Sequence, residues 1–248
     1  MAETKIDVRT PDGTMDAYCF SPPGGKPAPV VLHMFDAFGV RPASKEMCEK
    51  LAAKGYFVVM PNVLYRGGNF APFNPQTVWT DNAERERLMG IMKQATAEGV
   101  MKDLGALFDV LAKQPGAKAD KVGMVGYCMG GRLSFIAASA FPERVTAVAA
   151  IHAGNVATDA PDSPDKQSDK IKAKIYFGVA DNDRSCTPEQ QAQLKNSLNA
   201  AKVRYDLEIY PGAQHGFAMA DTPQYNAEAD AKHWERVFSL FGAELPRG

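Results

Sequence analysis

The segment 125–131, VGYCMGG, places a cysteine between two glycines directly after an apolar run. The pattern Gly126-x-Cys128-x-Gly130 joins a predicted strand to a predicted helix, which is typical of the tight turn that presents a nucleophile. The start of the helix would favour a thiolate, because its first amides are unpaired and its dipole is positive there. The amide of Met129 would then be placed to stabilise an oxyanion. The alternative is a packed thiol in a glycine-rich crossing, since free cysteines are commonly buried.

Two later strands end in residues that could assist such a cysteine. The predicted strand 172–180 leads into GVADND, which offers Asp181 or Asp183, and the predicted strand 204–211 leads into PGAQHGF, which offers His215. The carboxyl ends of parallel strands meet at one edge of a sheet, so these groups would lie near the cysteine. The order cysteine, aspartate, histidine predicts a nucleophile, an orienting acid and a general base.

Each of these residues also has a structural interpretation. An aspartate after a strand can simply tighten a turn, and His215 can be an ordinary loop histidine. The other histidines do not follow the catalytic order, because His33 and His152 end earlier strands and His233 lies in the last helix. Three features in the right order favour the catalytic interpretation over the structural one.

The elements that would position these residues alternate along the chain. Strands are predicted at 5–10, 15–20, 30–35, 56–61, 121–127, 145–152, 172–180 and 204–211, and helices at 42–54, 83–113 with a break near Gly99, 129–141, 187–201 and 222–242. Strands separated by helices indicate a doubly wound, mostly parallel α/β sheet with helices on both faces. We expect a single domain over 1–248, with an irregular loop at 62–82 near the site mouth and a solvated loop at 159–170.

Composition narrows the class of protein. The 248 residues carry a formal net charge of -1, which argues against nucleic acid or an anionic membrane as a partner. No apolar run approaches the ~20 residues that span a bilayer, and the polar start MAETKIDVRT does not have the pattern of a secretory signal. The four cysteines are widely spaced, which predicts reduced thiols. We expect a cytoplasmic protein, a monomer or weak homodimer, that acts on a small molecule without a metal or organic cofactor.

Over its whole length the sequence resembles the dienelactone hydrolases (carboxymethylenebutenolidases) of the α/β-hydrolase superfamily. The segments that carry the resemblance are APVVLHMFDAFGV, AEGVMKDLGALFDVLAKQPG, KVGMVGYCMGGRLSF and PGAQHGFA. The resemblance implies an α/β-hydrolase fold, cleavage of a lactone or carboxylic ester through a thioester, and a triad of Cys128, Asp181 and His215. Asp181 is preferred to Asp183 because the spacing from Gly178 to Asp181 matches the family's GxxD pattern.

The first loop departs from the family's best-known members. They carry a glutamate before the FG of this loop, where the present chain has Asp36. By resemblance that carboxylate helps to activate the thiol once substrate binds, and the amide of Ala37 is the second oxyanion donor. Aspartate is one methylene shorter than glutamate, so its reach toward the thiol is reduced.

The residues that would grip the substrate differ further. The family typically holds a substrate carboxylate between two arginines, and Arg85 falls on one of these positions while Met219 falls on the other. Two pocket aromatics are replaced by Met89 and Met92, which would make the pocket apolar and adaptable. We therefore expect an ester or lactone that is less anionic or bulkier than dienelactone, unless another residue compensates. The candidates for that compensation are Trp79, Arg66 and Arg132.

Two other functions remain open at this level. The same triad would serve a thioesterase or a general carboxylesterase, because it acts on any activated acyl group. A chain that has lost catalysis and binds a ligand or partner is the alternative from another class. The altered Asp36 and Met219 favour that alternative, whereas the complete set of nucleophile, acid and base argues against it.

Overall fold

The computed structural model describes residues 3–245, which form one eight-stranded sheet flanked by helices. The strands are β1 (Glu3–Thr10), β2 (Gly13–Phe20), β3 (Ala28–Met34), β4 (Phe57–Pro61), β5 (Ala117–Tyr127), β6 (Val145–Ile151), β7 (Lys174–Asn182) and β8 (Tyr205–Gln214). Their order in the sheet is β1-β2-β4-β3-β5-β6-β7-β8. The pairs from β4 to β8 are parallel, and β1 and β2 join one edge in antiparallel pairing. The predicted doubly wound, mostly parallel sheet is confirmed.

Six α-helices cover the two faces of this sheet. They are α1 (Pro42–Ala53), α2 (Asn82–Met92), α3 (Ala97–Leu111), α4 (Met129–Ala140), α5 (Pro188–Ala200) and α6 (Ala227–Glu244). A Cβ added at Gly123 would meet Phe241 of α6, whereas one added at Gly126 would meet Ser134 of α4. Strand residues three positions apart point to opposite faces, so α4 and α6 lie on opposite sides of the sheet. Within residues 3–245, none of the helices is long and apolar enough to cross a membrane.

The central strands are apolar because both of their faces are covered. Every residue of β3 and of β4 is buried, and the cores of β5 and β6 are nearly continuous runs of Val, Ala, Met and Ile. Such uninterrupted runs are typical of parallel strands between two helical layers, where neither face of the sheet meets water. The short apolar segments in the sequence therefore predicted these strands well.

The break in the long helical region lies earlier than the sequence indicated. The helix α2 ends at Met92 and α3 begins at Ala97, with Thr96 as the N-cap. The Thr96 hydroxyl accepts a hydrogen bond from the Gly99 amide, so Gly99 belongs to the first turn of α3. Its amide is one of the unpaired donors of a helix start, which the cap satisfies. The predicted break near Gly99 is therefore present, and its position is about one helical turn before Gly99.

The segment 159–170 is packed more tightly than its charged sequence suggested. It contains a 3₁₀ helix, Pro164–Lys170, and Asp165 within it is buried. The Asp165 carboxylate accepts hydrogen bonds from Ser163, Gln193 and Ser197. A buried carboxylate needs such donors to offset its lost hydration. Part of the predicted solvated loop is thus a structural support for α5.

Candidate active site

Five neighbouring strands each deliver one polar or amide group to the same edge of the sheet. Ala37 follows β3, Cys128 follows β5, His152 follows β6, Asp183 follows β7 and His215 follows β8. All five line a single cavity of about 800 Å³. Parallel strands bring their carboxyl ends together, which explains why residues up to 178 positions apart in the sequence meet here.

Cys128 occupies a tight turn between β5 and α4. Its backbone has φ 54° and ψ -116°, a conformation that non-glycine residues rarely adopt. A Cβ added at Gly126 would lie 2.2 Å from the carbonyl oxygen of Gly130, and one added at Gly130 would lie 2.1 Å from the carbonyl oxygen of Met34. The Cys128 amide donates to the Ile151 carbonyl at 3.1 Å, which fastens the turn to β6. Both glycines are therefore required by close backbone contacts.

His215 is oriented by Asp183. The His215 Nδ1 atom lies 2.7 Å from Asp183 Oδ2, and the Asp183 side chain is only 2% exposed. The other carboxylate oxygen accepts from the amide and hydroxyl of Ser185 at 2.8 and 2.6 Å. The Ser185 hydroxyl also lies 3.3 Å from His215 Nδ1. Ser185 thus holds one oxygen of Asp183, and the other oxygen of Asp183 fixes the plane and the tautomer of the His215 imidazole.

The sequence-based choice of Asp181 over Asp183 is wrong. The strand β7 runs on to Asn182, two residues further than predicted, so Asp181 lies within the strand and Asp183 is the first residue after it. The exposed Asp181 carboxylate accepts from the Gly212 amide at 3.1 Å, whereas His215 pairs with Asp183. A register shift between β7 and β8 near this point means that spacing alone did not identify the orienting residue.

The charges of the three groups are coupled. Burial lowers the pKa of His215, but the charge of the Cys128 thiolate and the hydrogen bonds to Asp183 and Cys128 outweigh burial and raise it to about 10. Burial also raises the pKa of Asp183, but the hydrogen bond and charge of His215 together with the Ser185 donors hold it below its usual range. The raised pKa of His215 therefore favours its protonated imidazolium form beside the Asp183 carboxylate near neutral pH.

Asp36 is paired with Arg41. Its Oδ1 atom lies 2.6 Å from Arg41 Nη1 and accepts from the Phe38 amide at 3.0 Å, while its Oδ2 atom lies 2.9 Å from Arg41 Nη2. Both oxygens therefore accept hydrogen bonds within a buried ion pair with Arg41. The predicted role of Asp36 in activating the thiol once substrate binds stays a prediction.

The predicted substrate-binding residues divide into two groups. Met92 and Trp79 line the cavity, and Trp79 is 48% exposed at its mouth. By contrast, Met219 is fully buried, and Arg85 and Met89 point to solvent from the outer side of α2. The inner side of this helix carries the buried Leu88 and Ile91, whereas Arg85 and Met89 are exposed. The predicted roles of Arg85, Met89 and Met219 in holding substrate are therefore not supported by their positions.

A second chamber of about 460 Å³ also opens at the nucleophile. Cys128 and His215 line both chambers, and Arg132 supplies the positive charge in the second. Arg132 Nε donates to the Asn155 carbonyl at 3.1 Å, and no carboxylate among residues 3–245 forms an ion pair with Arg132. Burial lowers the pKa of Arg132, and the charge of the Asp162 carboxylate only partly offsets this effect. Its terminal nitrogens remain free to bind an anionic group.

Another residue of the cavity, His152, does not follow the catalytic order of cysteine, aspartate and histidine in the sequence. Its side chain is 1% exposed, with ring centroids 5.1 Å from His215 and 5.3 Å from Phe217. Burial and the charge of His215 hold the pKa of His152 well below its usual range. The only feature of the sequence that indicated a place for His152 in the site was its position at the end of a predicted strand. His33 and His233 are also buried, beside Tyr127 in the core.

Known proteins with similar sequences point to one family. A model of the dienelactone hydrolase family matches residues 15–245. The carboxymethylenebutenolidase of Pseudomonas sp. strain P51 is 27% identical over 240 residues, covering 95% of this chain and 93% of its own. A Synechocystis homologue with a provisional carboxymethylenebutenolidase name is 29% identical over 220 residues, covering 88% and 87%.

Solved structures agree on the fold. A Klebsiella pneumoniae protein, provisionally named a dienelactone hydrolase, superposes with a TM-score of 0.84 at 21% identity and covers 97% of this chain and 98% of its own. The dienelactone hydrolase of Anabaena variabilis superposes with a TM-score of 0.70 at 19% identity and covers 98% of both chains. The match to the family model extends over nearly the whole chain, from β2 to the end of α6. The chain therefore belongs to the dienelactone hydrolase family.

Proposed function

We propose that this hydrolase cleaves a carboxylic ester or lactone by covalent catalysis, with Cys128 as nucleophile, His215 as acid and base, and Asp183 as orienting carboxylate. The observation that carries the proposal is a cysteine in a strained, glycine-flanked turn that lines the same cavity as a histidine hydrogen-bonded to a buried aspartate. Covalent catalysis requires a nucleophile, an adjacent base and a group that orients the base, and a thiol, an imidazole and a carboxylate can fill these roles. No other cysteine among residues 3–245 lines this cavity.

In the first half of the reaction the Cys128 thiolate attacks the substrate carbonyl carbon and forms a carbon–sulfur bond. The charge that develops on the carbonyl oxygen is stabilised by the amides of Met129 and Ala37. The Met129 amide is the first of α4 and has no acceptor within the helix. The ester carbon–oxygen bond then breaks, and the His215 imidazolium gives its proton to the leaving oxygen, which leaves a thioester on Cys128.

In the second half His215 changes from acid to base. The thiolate charge is the largest of the causes that raise the pKa of His215, and acylation removes that charge. Burial and the remaining Asp183 then set the pKa at a lower value, so the neutral imidazole can accept a proton from water. The resulting hydroxide adds to the thioester, the carbon–sulfur bond breaks, and the thiolate and imidazolium are restored.

The two chambers that share Cys128 suggest where the two parts of the substrate bind. One is apolar and wide, with Trp79 and Phe38 at its mouth, and accepts a bulky group. The other ends at Arg132, which can pair with a carboxylate through two parallel hydrogen bonds. This supports the bulkier ester or lactone expected from the sequence, with Arg132 as the cation that remains for an anionic substituent.

The test is the variant Cys128→Ala with a panel of esters, lactones and thioesters. We expect turnover to be abolished while the circular dichroism spectrum and melting temperature stay close to wild type. Iodoacetamide should alkylate Cys128 stoichiometrically, and mass spectrometry after rapid quenching should find an acyl group on its sulfur. Retained turnover in the variant would remove Cys128 from the mechanism. A wild-type protein inactive on the whole panel would favour a binding role instead.

A further inference from the structure

Three loops around the candidate active site meet at one buried side chain, Arg41, which is 7% exposed. Its guanidinium binds both oxygens of Asp36 at 2.6 and 2.9 Å and both oxygens of Asp221 at 2.6 and 3.0 Å. Arg41 Nη1 also contacts the Gly39 carbonyl at 3.4 Å, so every N–H of the fork has an acceptor. We refer to Asp36, Arg41 and Asp221 as the Arg41 bridge.

Each end of the Arg41 bridge belongs to a loop with a residue of the site. One end directly precedes Ala37, whose amide is the proposed second oxyanion donor. The other end, Asp221, lies six residues after His215 on the loop that follows β8. The Asp221 carbonyl also accepts from the Gln76 side chain at 2.8 Å, three residues before Trp79. The bridge therefore joins the oxyanion loop, the histidine loop and the segment at the cavity mouth.

The position of Arg41 itself is fixed from several sides. Arg41 is the N-cap of α1, and its amide donates to the Ser44 hydroxyl at 2.9 Å. Its guanidinium lies over the Phe38 ring, 5.3 Å from the centroid. A forked cation held at its backbone, its flat face and all its N–H groups has little freedom to move. It can therefore transmit the position of α1 to the loops that it binds.

We propose that Arg41 is a positioning residue that holds the Ala37 amide at the distance required to stabilise the oxyanion. This inference rests on the proposed function. His215 is oriented separately by Asp183 and Ser185, so the step that depends most on the Arg41 bridge is stabilisation of the oxyanion. Donors of this kind work only when they are fixed before charge develops, because reorganisation at the moment of reaction removes their advantage.

The experiment compares Arg41→Lys with a matched control, Arg66→Lys. Arg66 also bridges two carboxylates, binding Asp103 through two nitrogens at 2.7 and 2.9 Å and Asp12 at 2.7 Å. It joins α3 and the Tyr65–Gly67 turn to the turn between β1 and β2, and it lines neither chamber, so its predicted role as a substrate-binding cation is not supported by its position. Each change keeps the positive charge and replaces the fork with a single point of contact. Both variants should lose thermal stability to a similar degree.

Only the Arg41 variant should lose catalysis. We expect kcat for a p-nitrophenyl ester to fall about 10- to 100-fold in Arg41→Lys with KM within about threefold of wild type, since the lost interaction acts in the transition state. The rate of Cys128 alkylation by iodoacetamide should stay within about twofold, because substitution at the sulfur forms no oxyanion. Arg66→Lys should keep wild-type values of kcat, KM and alkylation rate.

A second variant, Asp36→Asn, keeps Arg41 paired with Asp221 and loosens only the link to the oxyanion loop. It should lower kcat about 3- to 10-fold. It therefore tests the positioning role of Arg41 even if Arg41→Lys does not fold. The proposal is overturned if the folded bridge variants keep kcat within twofold of wild type, or if alkylation falls in parallel with kcat. Failure of the proposed function is a separate result, since there Cys128→Ala would retain turnover.

Discussion

Asp181 and Asp183 are the same residue type two positions apart, and their surroundings give them different chemistry. Asp183 is buried and has donors on both oxygens, whereas Asp181 is exposed and bonds a backbone amide of the next strand. A carboxylate orients an imidazole well only when its own position is fixed and water is excluded. At the scale of single residues, the environment of each aspartate therefore assigns its role.

This difference gives a matched pair of variants. Asp183→Asn should lower kcat by about 100-fold or more, because the amide would favour the wrong tautomer of His215. Asp181→Asn should keep kcat within about twofold, since its carboxylate contributes only an exposed hydrogen bond to Gly212. The two values of kcat on one ester, measured at pH 7.5, make the comparison. Equal losses in both variants would contradict the assignment.

A second residue-scale prediction concerns Arg132. Replacing it with glutamine should raise KM for an ester whose acyl group carries a carboxylate by about 10-fold or more, the range of a charge-assisted hydrogen bond. KM for a neutral ester of the same size should change less than about twofold. Steady-state kinetics with this pair of substrates measures both effects. A parallel rise for the neutral ester would assign Arg132 to packing.

The site was only partly predictable from its residues. Cys128 and His215 were identified because a glycine pattern and the end of a strand are local signals. Asp183 was named but ranked below Asp181, because the end of β7 depends on its pairing with β8. Arg41 was missed because its partners lie 5 and 180 positions away. Such long-range contacts leave no spacing signal in a single sequence.

At the scale of elements, the crossing from β5 to α4 depends on close approach of backbone to backbone. A side chain at Gly130 would collide with the carbonyl oxygens of Met34 and Phe35 in and after β3, at 2.1 and 2.4 Å. These atoms belong to the centre of the sheet and cannot move without disturbing it. The glycine is therefore a condition for placing β3, β5 and α4 together.

Gly130→Ala should destabilise the fold by about 3 kcal/mol or more, since the new methyl group overlaps fixed backbone. The control is Gly242→Ala in α6, where an added Cβ has nothing within 4 Å. That change should stabilise by up to about 1 kcal/mol because alanine is the better helix former. Urea unfolding monitored by circular dichroism measures both. Equal midpoints for the two variants would contradict the steric argument.

Elements with strong local signals were predicted closely. The errors occurred at helix boundaries that are set by the choice of N-cap residue. Thr187 as cap and Pro188 as first residue of α5 are found as expected, because the capping signal is local. The final helix instead begins after Asn226, five residues later than predicted, since Asn226 accepts from the Ala229 amide. Polar residues before a helix offer several possible caps, and tertiary contacts select among them.

At the scale of the whole molecule, the core holds three buried histidines: His33, His152 and His233. Burial lowers the pKa of His33 and of His233 to about 3, and that of His152 well below its usual range. The unfolded chain binds these protons near pH 6.5 and the folded chain does not. Stability is therefore complete above about pH 6.5 and falls as the pH drops toward 3.

At pH 5, His33 and His233 should each lower the free energy of unfolding by about 2 kcal/mol relative to pH 7. The ring nitrogens of His33 have no hydrogen-bond partner within residues 3–245, so replacing His33 removes no hydrogen bond. In the variant His33→Leu, the free energy of unfolding should therefore decline less steeply below pH 6.5 than in wild type. Urea unfolding from pH 4.5 to 8 measures the slope. Identical slopes in the two proteins would exclude His33 as a source of acid sensitivity.

The two chambers that meet at Cys128 have a consequence for the fate of the acyl-enzyme. In the proposed mechanism with an ester substrate, departure of the alcohol would empty one chamber, while the acyl group would stay in the other and leave the thioester facing the vacated space. Water and small alcohols then compete for the same intermediate, so the ratio of acid to new ester should follow the composition of the medium. Such partitioning would make the enzyme an acyl transferase toward any nucleophile that fits the emptied chamber.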